Sequence, residues 1–550
     1  MKNQNQDSGQ YDSLIVLFLI CFFGFAIYKA YLRALPRMIN FYWHHYWLIV
    51  VVLTLLLTAL FWWTYFKVER RIKSWKTKRI EHAEKLVDSF VIGIDGTGNE
   101  VRINCETRRL HCEVIGSTSA GKSESVIIPW AVEDIRAGRG LVIIDGKADK
   151  SFLNKLYAYA KKYNRTDDFQ LFSLGHPTLS QTFNPLIGGT ADEITERIFS
   201  SFEFEENYYK DLQFLYLSQV LRIFIKAGVT PTFFKLYQAI TRPLILQDLA
   251  FKTKDSLLTS WVDDQNSLKR EERESRVSGL LTKIGKFALS DYAPLFNSNC
   301  PTIRLDQAMS ENKIVYFQLP AMKSKELGRA SGKLVLQALQ SAVADRHAHG
   351  DREHRFFSIF LDDISEYLYG GFVTMLNKSR SANVGVVLAH QALGDIEQLG
   401  ADVANTVITN TNIKIIMRGN EPSSAEFFAK MIGTKKAEKS TERREKTWLS
   451  KNKTGQESVR EVEEFEIHPN VIKRELGIGE GILLYPDKYK TIFGKVKFHM
   501  VPNIPIVPLP EVQKDQPAGF NLEIKEPVTK SGVEETEEEN KKQRTIGGQL

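Results

Sequence analysis

The densest chemistry in the chain lies in residues 111–130, HCEVIGSTSAGKSESVIIPW. Gly116, Gly121, Lys122 and Ser123 fit G-x-x-x-x-G-K-[ST] without a mismatch. Glycines at those positions let the backbone curl until several N–H groups face one point, a nest that holds phosphate oxygens. Ser117, Thr118, Ser119 and Ala120 complete the cradle. Lys122 would neutralise the β and γ oxygens of ATP, and the Ser123 hydroxyl would ligate Mg2+. The apolar pair Val114-Ile115 leads in as a strand should, and residues 125–137 can follow as a helix. The phosphates would then sit at a helix N-terminus, where free amides and the dipole favour anions.

Such a loop needs a partner that holds the metal and positions the attacking water. The segment SIFLDDISEY supplies an apolar strand ending in Asp362 and Asp363. The first carboxylate would hold the Mg2+ water shell, and the second would polarise the hydrolytic water. A Glu is the commoner residue at the second position in related ATPases, and Asp363 is shorter by one methylene. Glu366 is a weaker candidate for the same task. The next strand, VGVVLAHQ, ends in Gln391, whose amide can donate and accept beside a terminal phosphate. Arg380 lies eleven residues earlier, at the end of a helix, and Arg418 closes the run IKIIMR. Either could serve as an arginine finger; read alone, Arg380 is only a helix-end cation.

The elements that must position these groups are also legible. Short apolar runs recur at 141–145, 169–172, 313–319, 356–362, 384–389 and 413–417. Continuous rather than alternating runs suit strands covered on both faces, and helices between them predict a mostly parallel, doubly covered α/β sheet. Residues 194–300 lack such runs and read as an all-α subdomain inserted between a first part, 71–193, and a second part, 301–505, of the nucleotide-binding domain. The polar, basic stretch 433–461, which contains Trp448, reads as a mobile loop. EGILLY and KTIFGKVKF offer a late pair of strands, and 506–550 reads as a disordered tail with an acidic run at 534–539.

At 550 residues the chain is too long for one core, and its net charge of +7 permits an anionic partner without demanding one. Cys21, Cys105, Cys112 and Cys300 form no C-x-x-C pair and no cluster with His, so neither a disulfide framework nor a zinc site is indicated. The apolar surplus sits in the first seventy residues, as two expected transmembrane helices at about 13–30 and 46–66 forming a hairpin within 1–70. The basic segment KVERRIKSWKTKRIEHAEK after the second span marks the cytoplasmic side, which places both termini and the ATPase inside.

Taken in order, GSTSAGKSES, LVIIDGKAD, QTFNPL, KIVYFQLPAM, FLDDISEYL and KSRSANVGVVLAHQALGDI, after two spans, resemble the type IV coupling proteins, the TraD/TraG-type ATPases of conjugation and type IV secretion. The resemblance runs from the spans to about residue 501. It implies a RecA-like P-loop NTPase of the bacterial inner membrane, using ATP and Mg2+ and assembled as a homo-hexamer. Residues 116–123 match the nucleotide grip, Asp362 the magnesium carboxylate, Asp363 the position of the usual Glu, and Gln391 the glutamine motif. Arg380 falls where the family has an arginine acting between subunits. Implied partners are a relaxase bound to single-stranded DNA, relaxosome accessory or adaptor proteins docking on the tail, and the secretion channel. A receptor for protein effectors that uses ATP as a switch is the alternative, and an FtsK-type DNA pump a third.

Overall fold

A computed structural model describes residues 8–204, 207–320, 325–348, 354–447, 450–486, 490–515, 517, 519 and 520. It divides into two compact units, residues 1–87 and 88–550. The boundary therefore lies beyond residue 70, where the sequence pattern had suggested it.

The first unit is one helix, Ser8–Val87, of 80 residues. Two stretches of it are long and apolar enough to cross a membrane, Phe18–His44 and Val50–Arg71, and neither is buried by protein. The two expected apolar segments are present, but the turn between them is not. No glycine occurs between Gly24 and Gly93 to stop the helix, and Pro36 is accommodated inside it. A proline removes one backbone donor and kinks a helix without having to end it.

The second unit is built on an eleven-stranded sheet. In chain order its strands are β1 (Ser89–Asp95), β2 (Glu100–Asn104), β3 (Cys112–Ile115), β4 (Gly140–Asp145), β5 (Phe169–Ser173), β6 (Ile314–Gln318), β7 (Phe357–Asp362), β8 (Val384–His390) and β9 (Ile413–Met417). A separate ribbon, β10 (Thr434–Thr447) with β11 (Ser450–Phe465), precedes β12 (Glu480–Pro486) and β13 (Thr491–Phe498). The spatial order is β2-β1-β13-β12-β9-β3-β8-β7-β4-β6-β5. From β9 to β5 every neighbour is parallel. These are the six runs read from the sequence plus the strand before the glycine-rich loop, and β3 to β9 are buried almost throughout, as covered parallel strands must be. The late pair, β12 and β13, adds antiparallel strands beside β9, and β1 and β2 extend them.

Between β5 and β6 the chain is helical, from Ala191–Ser201 through Ala293–Phe296. Its core is continuous with the sheet: Phe172 on β5 and Phe317 on β6 meet Phe183, and Phe172 meets Phe296, with ring centroids 5.1–5.9 Å apart. The helices Ile128–Arg136 and Lys150–Lys162 cover the opposite face.

The basic stretch read as a mobile loop is instead the β10–β11 hairpin. Its register sets Lys435 opposite Glu464 and Lys436 opposite Glu463, and Lys439 reaches Glu464 at 2.8 Å. Cross-strand opposite charges support such a ribbon although it carries few apolar residues. Trp448 and the acidic run 534–539 lie outside the described residues.

A buried polar cluster ties together the three strands beneath the glycine-rich loop. Glu113 on β3 is fully buried; its carboxylate accepts from Lys414 Nζ on β9 and is 2.8 Å from His390 Nε2 at the end of β8. Lys414 also donates to Thr411 Oγ1 at 2.6 Å and to the Ile408 carbonyl at 2.7 Å, so its three donors are satisfied. Burial pushes the Glu113 carboxyl up, but the Lys414 charge and the bonds from His390 and Lys414 outweigh it and hold it at about 2. A carboxyl depressed in the folded state stabilises the fold above its unfolded value of about 4.3, and that contribution is lost as pH falls towards 2. Lys414→Met should destabilise the protein by about 3–5 kcal/mol, because the Glu113 charge stays buried without its partner. Glu113→Gln added to Lys414→Met should recover much of that loss and flatten acid unfolding between pH 4 and 2, as read by denaturant melts.

Candidate active site

β3 lies between β8 and β9, with Ile115 level with His390 and Ile416. The loop that follows it therefore leaves the sheet flanked by the ends of both neighbours. Gly116 N–H donates to the His390 carbonyl at 3.3 Å, Ser117 N–H to the Arg418 carbonyl at 2.8 Å, and Gly479 N–H to the Ala120 carbonyl at 3.0 Å. Gly121 has φ +97°, a conformation that costs a side-chain-bearing residue energy, and Ser119 has φ +69°. The helix begins as a widened π-turn over Ser123–Ile127 before the α-helix Ile128–Arg136. Pro129 has no N–H to offer Ser125, and the wider turn absorbs that loss.

Lys122 curls back so that Nζ donates to the carbonyls of Gly116 at 2.6 Å and Ser117 at 3.3 Å. Burial, and then the neighbouring Lys147 charge, press its pKa downward. Ser123 Oγ donates to Asp362 Oδ2 at 2.6 Å, across the width of β8. Asp362 is 2 % exposed, and burial raises its pKa against the opposing pull of Lys147, the Ser123 bond and Lys122. Among the described residues its Oδ1 has no hydrogen-bond partner. A buried carboxylate oxygen without a partner beside a serine hydroxyl fits a divalent cation, and the loop amides with Lys122 fit a polyphosphate.

Asp363 turns away from β7 at φ +58°, a left-handed conformation that Asp tolerates better than most residues. Gln391, the first residue after β8, spans the gap: its Oε1 accepts from Thr118 Oγ1 at 3.0 Å, and its Nε2 lies 3.4 Å from Asp363 Oδ1. Residues 116–123, Asp362, Asp363 and Gln391 are thus brought together.

Arg380 and Glu366 are not, and Arg418 meets the loop through its main chain. Arg380 is exposed and caps the helix Phe372–Ser379, before β8 begins. The site lies beyond the far end of that seven-residue strand, roughly 20 Å away. Arg418 supports the loop through its carbonyl, which accepts from Ser117 Oγ at 3.0 Å. Glu366 is paired with Arg329 at 2.6 Å, which removes it as an understudy for Asp363. One residue of the site was missed: Lys147, after β4, whose Nζ lies 3.5 Å from Asp363 Oδ2. Its signal was a lysine two residues past a strand-ending Asp in LVIIDGKAD, on the same edge of the sheet as the glycine-rich loop.

Fold and site together define a RecA-like P-loop nucleotide-binding fold. The family described as the TraM recognition site of TraD and TraG matches residues 357–474. The type 4 coupling protein DotL of Legionella pneumophila is 22% identical over 401 residues, 61% of this chain and 51% of DotL, so the chain spans about half the length of that relative. Among solved structures, the conjugative coupling protein TrwB without its first 70 residues shares the fold with a TM-score of 0.56 at 14% identity, over 75% of this chain and 89% of TrwB. TrwB with ADP and Mg2+ matches with a TM-score of 0.51 at 16% identity, over 78% of this chain and 90% of that one. By these matches the chain is similar to the type IV coupling proteins, the family its ordered motifs resemble.

Lys122→Ala should weaken binding of a fluorescent non-hydrolysable ATP analogue by at least about tenfold, since a charge-assisted contact to phosphate is lost. Gln391→Ala, which removes only the bridge between Thr118 and Asp363, should change that affinity by less than about threefold. Equal losses in the two variants would contradict these separate roles.

Proposed function

We propose that this chain is a membrane-anchored ATPase coupling protein that receives relaxase-bound single-stranded DNA and drives it to a type IV secretion channel. The observation that carries the ATPase part is the Ser123–Asp362 hydrogen bond, with Asp363 and Gln391 beside it. In this reading the amides of residues 116–123 and Lys122 hold the β- and γ-phosphates, while Ser123 and Asp362 hold Mg2+. When bound there, Mg2+ would supply positive charge to the phosphate oxygens. Asp363 accepts a proton from the attacking water, and Gln391 couples that carboxylate to Thr118 on the phosphate loop. Arg380 is too far from its own site to act there and serves a neighbouring subunit in a homo-hexameric ring. The apolar segments of the N-terminal helix anchor the ring in the bacterial inner membrane, with the ATPase in the cytosol.

A basic groove supports an anionic polymer as the substrate. Lys283 and Lys286 face Lys325, Arg329 and Lys333 around a cavity of about 280 Å3 between the inserted helices and the helix Lys325–Ala348. Lys325, Arg329 and Lys333 repeat every four residues on one face near that helix's N-terminus, where its dipole disfavours cations. Lys286 pairs with Glu326 and Arg329 with Glu366, yet five cations line the cavity against two carboxylates, Glu203 and Glu326, an excess that suits a phosphodiester backbone. The TraM-recognition match supports a relaxosome accessory protein as a further partner, and it covers 357–474 in the ATPase core rather than the tail.

ATP turnover by the full chain in detergent should rise with single-stranded DNA, and the rise should fade with added salt. Turnover indifferent to DNA would favour the effector-receptor reading. Lys283→Glu with Lys333→Glu should abolish the stimulation and leave basal turnover intact. Arg380→Ala should cut turnover without weakening nucleotide binding, and mixing it with Asp362→Ala subunits should restore part of the activity. No recovery on mixing would contradict a role between subunits.

A further inference from the structure

We propose that Lys147 reads the terminal phosphate of the bound nucleotide: it rests against Asp363 when no nucleotide is bound and moves to the γ-phosphate when ATP enters. This rests on the reading of the site as an ATP site and adds the residue that tells ATP from ADP.

The placement of Lys147 follows from strand pairing. β4 and β7 are parallel neighbours with Asp145 level with Asp362. The turns after them leave the sheet side by side, so Lys147 and Asp363 face each other although 216 residues separate them in sequence. The main chain at Lys147 is clamped. Asp145 is fully buried, and its carboxylate accepts from the N–H groups of Lys147 at 2.9 Å, Ala148 at 3.1 Å and Asp149 at 2.8 Å, and from the Tyr316 hydroxyl at 2.8 Å. Gly146 packs so closely on Tyr367 that an added Cβ would fall 1.5 Å from its hydroxyl. Tyr367 is itself buried and follows the Asp363 turn by four residues, so one side chain spaces both turns.

The side chain of Lys147, in contrast, is 41% exposed and, among the described residues, is held by the 3.5 Å approach to Asp363. That distance exceeds a good hydrogen bond, and an exposed ion pair of this kind adds at most about 1 kcal/mol to stability. A rigid turn presenting a loosely held ammonium is poor design for stability and suitable for a group that must change partners. The surrounding charge points the same way. Lys147 is the foremost charge acting on both Lys122 and Asp362, so two ammonium groups crowd one pocket and repel. Lys122 meanwhile turns to its own loop carbonyls. The added charge of a γ-phosphate gives both cations a partner, and the departure of Lys147 leaves the Asp363 carboxylate free to take a proton from water. ADP lacks that oxygen cluster and leaves Lys147 on Asp363.

The test compares affinities of the full chain in detergent for Mg2+ with ADP and with a non-hydrolysable ATP analogue. Lys147→Met is expected to lose at least about tenfold in affinity for the analogue, the loss of one charged contact, with ADP affinity changed by less than twofold. Lys147→Arg should keep most of the preference, and Lys147→Gln should lose it, which guards against a folding defect peculiar to Met. An unchanged ADP-to-analogue ratio in both Lys147→Met and Lys147→Gln would overturn the role of Lys147 and leave the ATP site standing. A wild-type chain that bound neither nucleotide would overturn both.

Discussion

The 2.6 Å hydrogen bond between Ser123 and Asp362 is the contact on which the rest of the molecule depends. Its two residues come from strand ends that are not neighbours: β8 lies between β3 and β7. For the hydroxyl and the carboxylate to meet, all three strands must run parallel, end at one level and hold that register. The register puts Gln391, the residue just past β8, between the phosphate loop and Asp363. One geometric requirement therefore brings Ser123, Asp362, Asp363 and Gln391 together.

That register is expensive to maintain in water and is maintained out of it. Beneath the loop, Glu113, His390 and Lys414 link β3, β8 and β9 through charged hydrogen bonds buried from solvent. A complete polar network of this kind specifies one alignment, because a shift of one residue would strand a charge. At the other end of β3, Arg108 pairs with Asp134 at 2.7 Å and reaches Ser358 on β7 at 2.9 Å. Sheet and helix are thus pinned on both sides of the short strand that carries the loop. The antiparallel strands β12 and β13 then back the loop from the side, through Gly479.

Much of this was written locally in the chain and could be read there. The parallel strands announce themselves as unbroken apolar runs because both faces are covered, and the phosphate loop by spacing that only a backbone nest requires. Asp362 and Asp363 stand out because charge follows directly on a buried strand. What depended on distant pairing could not be read. Lys147 looks like any lysine after a turn until β4 is set beside β7, and Glu366 looks available until Arg329 is seen against it. The basic stretch before β12 misled because a polar ribbon held by cross-strand charge lacks the alternation by which strands are recognised. The N-terminal segment misled in the opposite sense: two apolar stretches implied a turn, and no residue between them enforces one.

The most direct test of the account is the binding of Mn2+, as a paramagnetic stand-in for Mg2+, followed by electron paramagnetic resonance with a non-hydrolysable ATP analogue. The account predicts a nucleotide-dependent protein-bound Mn2+ signal in the wild-type chain that is lost in Asp362→Asn and in Ser123→Ala. The same signal in all three proteins would mean that the serine and the aspartate do not hold the metal, and the role assigned here to the contact between them would be wrong.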